Sequence, residues 1–144
     1  MHYADWTITG VPGTQRSDVL AVLAADIVVV DDDADVLEAL GRVLESWNYR
    51  VRLAKDGPSG LAFILERPPR VAVVDIAMPY LDGYQVARGV RAALGADGPK
   101  LVALTAFGRQ VDRQRALASG FDFHLTKPAR LEQLRRAIAS GFIV

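Results

Sequence analysis

Five residues spread through the chain carry the side-chain types that a phosphoryl transfer needs: Asp31, Asp32, Asp75, Thr105 and Lys127. They end short apolar runs, in the stretches VVVDD, VVD, ALT and HLTK. Carboxylates gathered in one place repel, and their proton affinity rises unless a cation relieves them. A hard divalent ion with oxygen ligands does so, and Mg2+ favours one or two carboxylates, several waters and a phosphate. A carboxylate is also a nucleophile that can form an aspartyl phosphate. Phosphoryl transfer asks little of a protein beyond positioning and positive charge. Mg2+ and Lys127 would supply that charge, and Thr105 could hydrogen-bond a phosphoryl oxygen. Asp33 and Asp35, in the same acidic run, read differently: they suit the start of a helix, where the macrodipole favours acids.

Chemistry of this kind needs all five groups at one place, and the apolar runs supply a way to gather them. Asp26–Val30 reads as a fully buried strand. Ala34–Trp47 follows as a helix with Val36, Leu37, Leu40, Val43, Leu44 and Trp47 on one face. Asp33 is its expected N-cap, and Glu38 pairs with Arg42 one turn on. Arg50–Ala54 alternates as a second strand, then Gly57-Pro58 opens a helix that Pro68-Pro69 stops. Val71–Val74 is the third strand, and a Pro79, Asp82-Gly83 turn region leads to a helix from Tyr84 to Leu94. Leu101–Leu104 is the fourth strand, followed by a helix around Gln110–Ala118 with Gly120 as a left-handed cap. Phe121–Leu125 alternates as the fifth strand, and Leu131, Leu134 and Ile138 mark a last amphipathic helix. Five strand–helix alternations predict an α/β fold, a doubly wound five-stranded parallel sheet, because parallel strands need crossover connections. Ligands of such sheets sit beyond the C-terminal strand ends. All five groups are therefore expected on one edge.

Composition narrows the setting. The 144 residues fit one domain over 26–144, with residues 1–25 read as an N-terminal extension or linker. A dimer-forming segment is the other reading of those first residues, which would make the chain a homodimer. Seventeen basic side chains balance seventeen acidic ones, so there is no electrostatic reason to bind nucleic acid or an anionic membrane. The absence of cysteine excludes disulfides, thiolate zinc sites and thiol nucleophiles, and suits a reducing cytosol. The stretch Val19–Val30 is broken by Asp26 and too short to span a bilayer, and Met1–Trp6 lacks the basic start of a secretion signal. The expected location is cytoplasmic.

The motifs VVVDD at 28–32, VVDIAMPYLDG at 73–83, ALTA at 103–106 and HLTKP at 124–128 together resemble a response-regulator receiver domain. The resemblance covers residues 26 to 140 and implies a flavodoxin-like (βα)5 sheet with strand order 2-1-3-4-5. It implies Asp75 as phosphoacceptor, with Mg2+ held by Asp31, Asp32, Asp75 and the backbone carbonyl of Ala77. Thr105 would move toward the phosphoryl group, Lys127 would pair with carboxylate or phosphate, and the Lys127–Pro128 bond would be cis. The donor would be a sensor histidine kinase or a histidine phosphotransfer protein, and the output a contact with a downstream protein. Such a domain modifies itself and turns over no external substrate, so it is not an enzyme in the usual sense. The few residues after the last helix leave no room for an effector module, as in a stand-alone regulator or a receiver from a hybrid kinase.

Three positions depart from the family pattern. His124 stands where receivers commonly carry a Tyr or Phe that rotates with the threonine. It reads as an ordinary surface histidine, with a pH-sensitive switch as the sharper alternative. Ala77 and Phe107 stand where polar side chains often influence the water that attacks the phosphoryl group. Two apolar residues neither orient nor activate that water, which predicts slow self-dephosphorylation. Among other functions, a haloacid-dehalogenase-type phosphatase would use Asp31-Asp32-Asp33 as its D-x-D, but Asp35 replaces the expected Thr or Val and no acidic pair follows Lys127. A calcium loop fails at Val36 and Arg42, where Gly and Glu are needed. A pseudo-receiver that binds without phosphorylation is disfavoured by the intact five-residue set.

Overall fold

A computed structural model describes residues 26–106 and 108–142. The readings of residues 1–25 and of Phe107 lie outside the described residues. The elements run β1 (Asp26–Val30), α1 (Ala34–Ser46), β2 (Arg50–Ala54), α2 (Gly57–Glu66), β3 (Val71–Asp75), α3 (Gly83–Leu94), β4 (Lys100–Thr105), α4 (Gln110–Ser119), β5 (Phe123–Thr126) and α5 (Leu131–Ser140). The five strands form one parallel sheet in the order β2-β1-β3-β4-β5. The expected doubly wound topology is thus observed.

Alternation along each strand divides the core into two layers. Ile27, Val29, Val71, Val73, Val102 and Leu104 face α1 and α5 through Leu37, Leu44, Leu134 and Ile138. Val28, Val30, Ala72, Val74 and Ala103 face α2, α3 and α4 through Ile64, Val86, Val90 and Ala116. Both faces of the central strands are buried, which is why β1 and β3 read as continuous β-branched runs. Truncating one of these side chains to alanine typically costs about 2–5 kcal/mol. At Gly60 a Cβ would come within 2.5 Å of Val30 Cγ2. Glycine there lets α2 lie directly on β1.

The helix ends follow their sequence signals. Asp33 caps α1 by accepting from the Asp35 and Val36 N–H groups, at 2.9 and 3.2 Å. Glu38 and Arg42 pair at 2.5 Å on its exposed face. Asp56 caps α2, Asp82 and Gln85 form a reciprocal capping box at α3, and Gly120 ends α4 with φ 112°. The fifth strand differs from expectation, starting at Phe123 instead of Phe121. The Asp122 carboxylate accepts from the Leu101 N–H at 2.8 Å and pairs with Arg91 at 2.9 Å. That side chain ties the turn to β4 before the ladder opens with Phe123 opposite Val102. No helix among the described residues is long and apolar enough to cross a membrane.

Candidate functional site

Strand order reverses where β1 takes β2 on one side and β3 on the other, and the crevice at such a point opens beyond the C-terminal strand ends. Asp31 leaves β1 there, while Asp75 and Thr105 are the last residues of β3 and β4. Backbone bonds carry the sheet pattern one residue further. Asp31 N–H donates to the Ala54 carbonyl at 3.1 Å, Ile76 N–H to Leu104 at 2.9 Å, and Lys127 N–H to Thr105 at 2.7 Å. At Gly83 an added Cβ would lie 2.5 Å from the Asp75 carbonyl oxygen, so the start of α3 packs directly on the end of β3. The acidic side chains are thereby mounted on rigid backbone.

Oxygens of Asp31, Asp32 and Asp75 all lie within 4.8 Å of one another. Asp31 has no solvent exposure and Asp75 only 4%, whereas Asp32 is exposed. The Lys127 ammonium bridges the two buried carboxylates, at 3.0 Å from Asp31 Oδ2 and 3.2 Å from Asp75 Oδ1. The other Asp31 oxygen accepts from the Asp33 N–H at 2.9 Å, which fixes its orientation. Burial, and then the charge of Asp31, push the Asp75 carboxyl up to about 6, against the opposing pull of Lys127. Burial lowers the Lys127 affinity for its proton, but the Asp31 hydrogen bond and the charges of Asp75 and Asp31 outweigh it, leaving the pKa raised. One ammonium thus leaves three crowded carboxylates incompletely neutralised. The donor set fits a small hard cation: oxygen-only, acidic, and relieved by added positive charge.

The remaining expected residues divide. Thr105 is buried at 3% exposure and lies on the same sheet face as His124, because Ala103 pairs with His124 and Thr105 with Thr126. Ala77 is exposed in the loop after β3. The Lys127–Pro128 peptide bond is cis. His124 is no surface histidine. It is half-buried, and both ring nitrogens are shielded without a hydrogen-bond partner among the described residues. Burial and then Arg113 lower its pKa, with Asp112 opposing. Sequence reading also missed two features. The Asp33 N–H that orients Asp31 is signalled by the D-x-D spacing of an Asx-type turn. An apolar groove of about 420 Å³ between α1 and α5 has Leu104, Pro128 and Leu131 in its walls and reaches Lys127. It arises from a gap between two helices, which periodicity does not report.

A family model described as the response regulator receiver domain matches residues 27–139. Response regulator MprA of Mycobacterium sp. strain KMS is 44% identical over 108 residues, covering 75% of this chain and 46% of MprA. The chain therefore spans about half the length of that relative. Among solved structures, the receiver domain of sensor histidine kinase PA1611 from Pseudomonas aeruginosa superposes with a TM-score of 0.75 at 28% identity. The match covers 83% of this chain and 98% of that one, whose active-site cleft holds a coordinated magnesium ion. The Saccharomyces cerevisiae receiver domain of Ssk1, crystallised with the histidine phosphotransfer protein Ypd1, provides a match with a TM-score of 0.73 at 27% identity. That match covers 81% of this chain and 87% of the compared one.

Proposed function

The chain belongs to the response regulator receiver domains, and from that premise we propose that Asp75 accepts a phosphoryl group from a phosphohistidine. A carboxylate oxygen of Asp75 attacks the phosphorus, the O–P bond forms as the P–N bond breaks, and the departing imidazole keeps the electron pair and takes up a proton. The observation that most supports this is the bridge of one ammonium across two buried carboxylates, 3.0 and 3.2 Å away, inside a three-carboxylate cluster. Lys127 then follows the negative charge from the carboxylate to the new phosphoryl oxygens. The Thr105 hydroxyl donates to one of those oxygens, and its movement passes the state of the site along the face it shares with His124.

Asp31, Asp32, Asp75 and the Ala77 carbonyl are the residues that would hold Mg2+. When bound, Mg2+ supplies the positive charge that quenches carboxylate repulsion and steadies the transferred group. The donor is a sensor histidine kinase or a histidine phosphotransfer protein in the cytoplasm; the crystallised pair of the Ssk1 receiver domain with the phosphotransfer protein Ypd1 supports a donor of this kind. Phosphorylation shifts a two-state surface toward a downstream protein. The domain catalyses only its own phosphorylation and dephosphorylation.

Incubation with Mg2+ and acetyl phosphate, followed by peptide mass mapping, tests the assignment. Phosphate on Asp75, lost in Asp75→Asn and absent in EDTA, is expected. Label on another residue, or none, would overturn it.

A further inference from the structure

We infer that Tyr80 is the anchor by which a phosphohistidine-bearing donor protein recognises this chain, an inference that rests on the reading of Asp75 above. Tyr80 lies in the loop between β3 and α3 with φ 68° and a side chain 95% exposed. The bend closes the turn through the Leu81 N–H to Pro79 carbonyl bond, but the exposed ring does nothing for the fold. A bulky L-residue is disfavoured in the left-handed region, and a ring in water adds nothing to the core. Asn48, the other non-glycine with positive φ among the described residues, is of a type that visits that region easily. Tyrosine is not. The turn needs a residue with positive φ there, but nothing in the fold needs that residue to carry an exposed aromatic ring, and such a ring points to function.

The surrounding loop holds the ring outward. Met78, two residues before Tyr80, is 7% exposed, and Leu81, directly after it, packs against the same core, so the loop is pinned inward on both sides of the exposed Pro79-Tyr80 pair. Three backbone bonds close the turn: Met78 N–H to Ile76 at 3.2 Å, Leu81 N–H to Pro79 at 2.8 Å and Gly83 N–H to Ile76 at 2.9 Å. Gly57, at the start of α2, sits so close that any Cβ would strike the Leu81 carbonyl. A rigidly mounted tyrosine, with only two side-chain torsions to fix, is the type of group that dominates protein interfaces.

Reach selects the partner. Tyr80 is five residues from Asp75, and a chain of that length spans at most about 18 Å when fully extended. The turn back to Ile76 makes the real separation shorter. A partner of standard size buries about 800 Å² per side, a disc of roughly 16 Å radius. A protein that centres a histidine on Asp75 therefore covers Tyr80. Acetyl phosphate, a few atoms across, fits at the carboxylate without touching the ring.

The test compares the two kinds of donor on the whole chain. Autophosphorylated histidine kinases are ranked on the wild-type protein, and the fastest serves as the protein probe against Tyr80→Gly and Tyr80→Phe. Tyr80→Gly should label from acetyl phosphate within about twofold of wild type and melt at or above the wild-type Tm, while transfer from the kinase slows at least about tenfold through KM. Tyr80→Phe, which keeps the ring, should retain most of the transfer rate. Unchanged kinase transfer in Tyr80→Gly would overturn the inference, as a ring serving only a downstream target would show. Equal slowing from both donors would overturn it too, by placing the effect on the acceptor. Wild type that labels from acetyl phosphate but from no kinase sinks this inference alone; wild type that labels from neither sinks the reading of Asp75.

Discussion

Replacing Asp75 by asparagine removes a charge that the unphosphorylated, metal-free fold holds at a cost, and the size of that cost can be worked out. Burial, then Asp31, raises the Asp75 carboxyl from 3.8 to about 6, with Lys127 pulling the other way. At about 1.4 kcal/mol for each tenfold change in proton affinity, the ionised form penalises the native state by about 3 kcal/mol. The native chain holds this proton more tightly than the unfolded chain does. The penalty is therefore negligible well below pH 3.8, grows as pH rises between 3.8 and 6, and is complete by about pH 7. An amide at position 75 carries none of it. Urea unfolding in EDTA should show the stability of Asp75→Asn relative to wild type rising by about 2 kcal/mol between pH 4.5 and 7.5, roughly 7 °C in Tm. His124 and the other carboxyls titrate in both proteins and largely cancel in this difference. Mg2+ added at pH 7.5 should stabilise wild type more than the variant and narrow the gap. A gap that stays constant across this pH range, or widens with Mg2+, would refute the electrostatic account of the cluster.

Lys127→Ala leaves Asp31, which has no solvent exposure, beside Asp75 with no cation. Unfolding at pH 7.5 should lose about 2 kcal/mol, less than for a sealed pair because the Lys127 side chain is 27% exposed. An unchanged unfolding free energy would show the bridge to be idle. Ala77→Asn puts an amide able to orient water at the rim of the site and should shorten the aspartyl-phosphate lifetime by about tenfold, followed as loss of radiolabel; an equal lifetime counts against an apolar brake. Burial and Arg113 lower the His124 pKa below 6.5, so the stability tied to its neutral form is present above that pH and is lost as pH falls through the native value. Between pH 7 and 5, wild type should therefore lose stability more steeply than His124→Phe, and parallel slopes would contradict the burial seen here.

The central strands and the acidic cluster were legible for one shared reason. A strand buried on both faces must be apolar until it ends, so the first polar residue after VVVV-like runs marks the sheet edge: Asp31 after β1, Asp75 at the close of β3. Parallel topology then sends those residues to the same edge without any knowledge of side-chain geometry. Periphery was harder to read. β5 is an edge strand, half-covered along its length, and its alternation began two residues early because Asp122 is used to tie a turn to β4. His124 looked like a surface residue because nothing in its own strand reports that α4 packs beside it, near enough for the charges of Arg113 and Asp112 to act on the ring. Residue types announce which charges can meet, but not the spacing that sets their proton affinity. Asp75 is pushed to about 6 first by its own burial and then by Asp31 sealed beside it, while Lys127, shared between the two, pulls the other way. The same division explains why Lys127 suits a site that must work with and without a phosphoryl group. On the proposed reading of Asp75 as the nucleophile, an ammonium placed on Asp31 alone would raise the proton affinity of Asp75 further and make it a poorer nucleophile, while one placed on Asp75 alone would hold that carboxylate back from the phosphorus.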